Sequence, residues 1–290
     1  MAFRTVVIKN RCKLEFLMNY MVCRKQDGEL KILLDEVRTI VIDSLQVVIS
    51  SYLIFEIAKR NIKLIFIDNK HNPIGEIIPY QGNAYSYRHI KEQISFDENY
   101  KGYLWKRITI EKIRNQARVL KKYGLDDSSK QLIVYSENVN INDETNREGH
   151  SAKVYFNSLF GTNFSRDTEN DTNKFLNYGY SIILSTINRE IVIHGYLPEI
   201  GIHHIGESNP FNLACDFMEP LRPLVDNLVY SGEIDNSNYI DKLIGINLKH
   251  VKYCKREMVL ENAIHLYVED LFNYLNNGDE KKIGFIEYGL

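Results

Sequence analysis

An α+β fold is predicted, with a small β-rich domain over residues 1–80 followed by a larger all-α domain over residues 100–290. Short β-branched runs broken by turn signals fill the first eighty positions. Beyond them, apolar residues recur at long helical periods. A polar, glycine-containing stretch, residues 81–99, separates the two regimes and reads as a linker.

Arg4–Lys9 and Lys13–Phe16 run or alternate apolar, as strands do. Met18–Arg24 and Glu29–Leu34 flank Asp27-Gly28, a tight-turn pair that predicts a hairpin. Val37–Asp43 is a further β-branched strand. An amphipathic helix follows near Val47–Arg60, with Val48, Tyr52, Phe55 and Lys59 at helical spacing. Lys63–Asp68 has the pattern of a buried strand, Asn69–Pro73 that of a turn, and Ile74–Pro79 closes the domain as a short strand. Gln81–Tyr87 marks the start of the linker. Helices are then expected at Tyr100–Tyr123, Ser128–Glu137, Asp143–Phe160, Thr172–His194, Pro210–Tyr230 and Lys255–Asn276. Gly161 and Gly195 stand where glycine ends a helix, and Asn209-Pro210 is a cap followed by a first-turn proline.

The bulk properties narrow the function classes. With 44% hydrophobic and 26% charged residues the chain is an ordinary globular one. It has no apolar run of the ~20 residues that span a bilayer, and Met1-Ala2-Phe3-Arg4 opens without a signal-peptide core, so a cytoplasmic protein without membrane contact is expected. Cys12, Cys23, Cys215 and Cys254 lack CxxC spacing, which argues against a disulfide framework or a zinc knuckle. The net charge of −2 offers no general attraction to nucleic acid, but local charge does. Lys101, Lys106, Arg107, Lys112, Arg114, Arg118, Lys121 and Lys122 face only Glu111 in the same stretch, and Lys249, His250, Lys252, Lys255 and Arg256 form a second cluster. Either a solvated helix face or a phosphate-tracking surface accounts for such clusters. Trp105 is available for base stacking or for the core.

Three short stretches hold metal-ligand residue types. Glu148 shares a helical stripe with Ala152, Tyr155 and Leu159, an inward-looking face. A carboxylate there needs a partner, which an ion pair with Arg147 or Arg166 or a bound metal would each supply. His203-His204 follows Gly201 in a turn between helices, and adjacent histidines point apart, so at most one coordinates. Asp216 and Glu219 share a helix face, with Arg222 in reach of either and Pro220 bending the axis beside them. A glutamate, a histidine and an acidic pair can hold Mg²⁺ or Mn²⁺ with positions left open. The chain has no HExxH, Walker or GxSxG motif, and His71, His89, His194, His250 and His265 have no partner at ligand spacing. The acidic residues around Asn142-Asp143-Glu144 fit a loop ligand or a helix cap.

Asn146-Arg147-Glu148-Gly149-His150-Ser151-Ala152-Lys153-Val154-Tyr155-Phe156, Gly201-Ile202-His203-His204, Asn209-Pro210-Phe211-Asn212-Leu213 and Asp216-Phe217-Met218-Glu219-Pro220-Leu221-Arg222-Pro223 together resemble CRISPR-associated protein one, the spacer-capturing integrase of CRISPR adaptation, in its type II variant. The resemblance runs over essentially the whole chain. It implies a dimerising β-rich domain and a helical catalytic domain, a homodimer, and two dimers bridged by a small ferredoxin-like CRISPR-associated subunit into a heterohexamer. The type II effector nuclease is a further candidate partner, and DNA, as spacer fragment and CRISPR repeat or leader, is the substrate. By motif position the implied metal ligands are Glu148, His204 and Glu219, holding Mg²⁺ or Mn²⁺, with Asp216 assisting the catalytic site. His204 is preferred to His203 because the family histidine stands three residues after the glycine matched by Gly201. Many relatives have aspartate where this chain has Glu219. The implied reaction joins 3′-hydroxyl ends to the repeat by transesterification. A stand-alone metal-dependent nuclease acting on branched DNA, or a non-enzymatic DNA-binding scaffold, are the competing readings.

Overall fold

The computed structural model describes residues 4–68, 73–77 and 84–289. Residues 69–72 of the turn expected at Asn69–Pro73, the end of the strand expected at Ile74–Pro79 and the linker residues 81–83 lie outside them. The chain divides into two compact units, residues 1–82 and 83–290.

The first unit holds two four-stranded sheets. Its elements are β1 (Arg4–Ile8), β2 (Cys12–Leu17), β3 (Tyr20–Lys25), β4 (Gly28–Leu33), β5 (Val37–Ile42), β6 (Val47–Ile49), α1 (Ser51–Lys59), β7 (Lys63–Ile67) and β8 (Pro73–Glu76). One sheet has the order β1-β5-β7-β8, with its first three strands parallel. The other has the order β4-β3-β2-β6, with the β3–β4 hairpin turning at Gly28, whose φ of 147° favours glycine. Leu14, Met21, Leu34, Ile40, Leu53, Ile57 and Leu64 make the core. Val47–Ile49 is extended rather than helical and pairs in parallel with β2; Ser50 then caps α1 by accepting from Leu53 N. The helical stripe of Val48, Tyr52 and Phe55 does not face inward. Leu53 and Ile57 are buried, whereas Tyr52 and Phe55 are 57% and 56% exposed. Two apolar faces meet on this helix, and spacing alone does not tell which one the sheets cover.

The second unit contains α2 (Ser86–Ile94), α3 (Glu98–Lys122), α4 (Asp126–Glu137), α5 (Arg147–Phe160), α6 (Asp171–Ile193), α7 (Asn212–Met218), α8 (Arg222–Tyr230), α9 (Tyr239–Ile244), the hairpin strands β9 (His250–Tyr253) and β10 (Arg256–Val259), and α10 (Leu260–Asn277). The stretch 81–99, read as linker, thus contains a helix. Gln93 of α2 is buried and exchanges hydrogen bonds with the backbone of Leu197 and Ile200. The helix expected from Lys255 begins only at Leu260, because Cys254 and Lys255 take positive φ in a hairpin turn between β9 and β10. The second basic cluster therefore lies on and beside a strand pair, not on a helix face. Gly161 and Gly195 end α5 and α6 with φ of 94° and 83°. Among the described residues no helix is long and apolar enough to cross a membrane.

Asp226 on α8 is fully buried and accepts the Tyr180 hydroxyl. Burial raises its carboxyl to about 6, against the pull of that hydroxyl and the nearby arginines. The folded state then binds its proton more tightly than the unfolded chain does, so this contribution to stability is full below pH ~4 and is lost as pH rises through ~6. Asp226→Asn is expected to remove that slope and to raise stability at pH 8 by about 2 kcal/mol. Urea titrations at pH 4 and pH 8 check this, and an unchanged pH slope would contradict it.

Candidate active site

Glu148 sits in the first turn of α5, and local capping fixes it there. Asp143 accepts from Arg147 N and Glu148 N at 2.9 and 2.8 Å, while the Asn146 side chain accepts from Gly149 N at 3.1 Å. Asn146 adopts a left-handed φ of 50°, which asparagine tolerates. A Cβ on Gly149 would approach Asn146 Oδ1 to 2.6 Å, so the glycine after Glu148 makes room for the cap. Asp143, beside Asn142, is thereby a helix cap.

Glu219 lies at the break between α7 and α8, in a short 3₁₀ turn through Pro220 and Leu221. The Pro220 carbonyl accepts from Asn115 Nδ2 at 2.9 Å and from the Tyr288 hydroxyl at 2.7 Å, which anchors the kink. The Glu219 carboxylate is buried and paired with Arg222 at 2.7 Å.

Glu148 and Glu219 both form ion pairs with Lys112, from the middle of α3. The partner of Glu148 is therefore neither Arg147 nor Arg166. Lys112, counted among the candidate DNA-tracking cations, is 6% exposed. In the same cluster, Arg118 pairs with Glu111 at 2.8 Å, Lys101 pairs with Glu98, and Trp105 is buried. Burial opposes ionisation of Glu219, but Arg222 and Lys112 outweigh it and hold the carboxyl at about 2. Burial likewise works against charge on Lys112, and the two carboxylates reverse it, leaving the ammonium above its ordinary value.

His204 belongs to a turn built around Asp216, which is fully buried. Asp216 Oδ2 accepts from Ile202 N and His203 N at 2.7 and 3.1 Å; Oδ1 accepts from His204 N at 3.0 Å and lies 2.6 Å from His204 Nδ1. Asp216 cannot donate as a carboxylate, so Nδ1 carries the proton and Nε2 presents the lone pair. The hydrogen bond to Asp216 raises the His204 pKa against the effect of burial. A side chain on Gly201 would meet the His204 carbonyl and Asp216 Oδ2, which explains glycine at the head of the turn. The His203 ring stacks on Trp105 with centroids 4.0 Å apart, and burial lowers its pKa. The adjacent imidazoles thus have different neighbours, one an aromatic face and one a carboxylate.

The residues fit a hard divalent ion in donor type, and an ion would compete with Lys112 for the two carboxylates. Two carboxylates share Lys112, with Arg222 as a second cation on Glu219, and Glu219 Oε2 meets Lys112 only as an ion pair, without a directed hydrogen bond among the described residues. One imidazole is held in the tautomer that a metal needs. Their donor atoms do not all lie within 4.8 Å of one another, however. Among the described residues that distance is met by another group, Glu190, His194 and His265. Sequence reasoning missed this group, although Glu190 and His194 stand at helical i,i+4 spacing. It also missed the role of Lys112, whose signal was a lone cation beside Ile108, Ile113 and Gln116.

Replacing Asp216 with asparagine removes one charge-bearing acceptor from the four N–H groups that define the turn. If His204 Nε2 ligates Mn²⁺, Mn²⁺ affinity in Asp216→Asn falls by about 10–100-fold, as for other residues that orient a metal-binding imidazole. Calorimetry with Mn²⁺ measures it; wild-type affinity in this variant would remove Asp216 from the orienting role.

The model of the family described as CRISPR associated protein Cas1 matches residues 5–250. A CRISPR-associated endonuclease Cas1 from Neisseria meningitidis serogroup C (strain 8013) is 34% identical over 226 residues, covering 78% of this chain and 74% of that protein. The fold is similar to that of a casposase bound to integration product, with a TM-score of 0.77 at 17% identity over 96% of this chain and 92% of that one. It is also similar to a Cas6-RT-Cas1--Cas2 complex, with a TM-score of 0.76 at 18% identity over 97% of this chain but only 36% of that chain. Glu148, His204, Asp216 and Glu219 all fall inside the matched span, and on that match this protein belongs to the Cas1 family of CRISPR-associated proteins.

Proposed function

We propose that this protein is the metal-dependent integrase and endonuclease of CRISPR adaptation, joining the 3′-hydroxyl ends of captured DNA fragments to the CRISPR repeat by transesterification. The observation that carries the reading is the meeting of Glu148 and Glu219 on a single cation, with the His204 ring oriented by Asp216 in the same helical unit. Glu148, Glu219 and His204 Nε2 would hold Mg²⁺ or Mn²⁺. A divalent ion bound there supplies Lewis-acid activation of the attacking hydroxyl and of the phosphodiester.

The chain's own residues set up that chemistry. Arg222 keeps Glu219 ionised in a buried position, so the carboxylate is ready without waiting for a proton to leave. The cap at Asp143 and Asn146 fixes the helix end from which Glu148 projects. Asp216 holds both the backbone and the ring of His204, which limits the reorganisation needed on binding. The exposed Arg114, Lys121 and Lys122 on α3 are suited to tracking a DNA backbone. The same site with water as nucleophile would cleave DNA.

Two copies of the N-terminal unit, with Tyr52 and Phe55 exposed on α1, would form the homodimer. A small ferredoxin-like CRISPR-associated subunit would bridge two dimers; a Cas6-RT-Cas1--Cas2 complex among the similar structures supports a second CRISPR-associated protein as a partner. The similarity to a casposase bound to integration product supports DNA as the substrate. The test is a strand-transfer assay with a repeat-containing plasmid, a short duplex with free 3′ ends and Mn²⁺. Joining of the duplex at the repeat border is expected. Cleavage of branched DNA without any joining would favour a stand-alone nuclease instead.

A further inference from the structure

Away from Glu148 and Glu219, the last turn of α6 and the middle of α10 bring Glu190, His194 and His265 together. Glu190 is 3% exposed, an unusual place for a carboxylate, and its two oxygens face different partners. Oε2 takes His265 Nδ1 at 2.7 Å, and Oε1 lies 3.9 Å from Arg189, whose closer partner is Glu261 at 3.3 Å. Burial disfavours its charge, but His265 and Arg189 outweigh this and keep it a carboxylate. His194 Nδ1 lies 2.7 Å from the Glu190 carbonyl, one helical turn back. A carbonyl only accepts, so Nδ1 bears the proton and Nε2 offers its lone pair. The same ring orientation, with the backbone in place of a carboxylate, is what metal-binding histidines use. The His194 carbonyl is in turn held by His89 Nδ1 at 2.6 Å. The two rings stand 5.2 Å apart at 38°, and one donor atom from each of the three residues falls within 4.8 Å of the others.

We propose that Glu190, His194 and His265 form a second metal site, for Zn²⁺ or a similar transition ion, that clamps α6 to α10. The donor set decides the metal class. Two imidazole nitrogens and one carboxylate suit zinc and its neighbours, whereas Mg²⁺ favours six hard oxygens. The ion replaces the proton shared by His265 and Glu190 Oε2, while Glu190 Oε1 stays toward Arg189. The His265 side chain is 47% exposed, so an ion reaches the site from solvent, and water completes its coordination. A clamp at this point bears on the candidate active site through α10. Tyr267, two residues beyond His265, donates to the Phe217 carbonyl at 3.0 Å, just ahead of Glu219.

The full-length protein, stripped with a chelator, is titrated with Zn²⁺ by calorimetry in a His204→Gln background, and with Co²⁺ by visible absorption. One equivalent of Zn²⁺ and a Co²⁺ d–d band are expected, both lost in His194→Gln and in His265→Gln, and neither displaced by excess Mg²⁺. Saturating Zn²⁺ should raise the Tm by roughly 5 °C, and the histidine variants should lose that shift. A single cooperative thermal transition in each metal-free variant, whatever its midpoint, shows that they fold. Absence of Zn²⁺ uptake, or uptake that survives both histidine substitutions, overturns the proposal.

Discussion

Replacing Lys112 with methionine should destabilise the metal-free protein by about 3 kcal/mol, because it strands two carboxylates that now share one buried ammonium. Glu219 carries most of this. Its carboxyl is held at about 2, well below its ordinary 4.5. A depressed folded value contributes stability that is present above pH ~4.5 and is lost as pH falls through ~2. With Lys112 gone, Arg222 remains as its cation, so the loss should be large without being total. Mn²⁺ or Mg²⁺ should then recover stability in the variant more than in the parent protein, since metal and ammonium compete for the same two carboxylates. Guanidinium titrations with and without Mn²⁺ measure both effects. A variant with the parent midpoint and no added metal response would show that Lys112 does not occupy the cation position.

In the strand-transfer assay, Glu148→Gln, His204→Ala and Glu219→Gln should each cut joining by about a thousandfold or more while leaving the fold and DNA binding intact. Glutamine preserves the shape of the Glu219 side chain, so loss of activity would report the missing charge and not a cavity. Arg222 and Lys112 would then face a neutral amide, and a change in urea midpoint separates that structural cost from the chemical one. Full joining by any of the three would remove that residue from the site. An inactive His203→Ala beside an active His204→Ala would instead move the imidazole role to the ring now stacked on Trp105.

The contrast between Glu148 and Lys112 shows how far sequence alone could reach. Glu148 was legible because it sits on a helical stripe with Tyr155 and Leu159, both buried, and a carboxylate on that stripe needs a partner. The identity of the partner was not legible. Lys112 precedes Glu148 by 36 residues, and nothing in local spacing relates one helix to another. Basic residues at exposed and buried positions of α3 look alike in sequence, so Lys112 was grouped with Arg114 and Lys121. His194 and His265 were hidden for the same reason, since the third member of that group comes from a different helix.

The β-rich and helical regions and the end glycines Gly161 and Gly195 were legible in the amino-acid order, and the family resemblance picked out Glu148, His204, Asp216 and Glu219. The cap read at Asn209-Pro210 does not form, since α7 begins at Asn212 with Phe211 ahead of it. The regions and end glycines depend on periodicity and on contacts within a few residues, which local propensity controls. That Lys112 joins Glu148 to Glu219, that Asp216 orients His204 while Trp105 takes His203, and that Tyr52 and Phe55 face outward emerged from the packing of distant elements. Those outcomes depend on which helix packs against which, and on the desolvation cost that forces each buried charge to find an opposite one, wherever in the chain that partner lies.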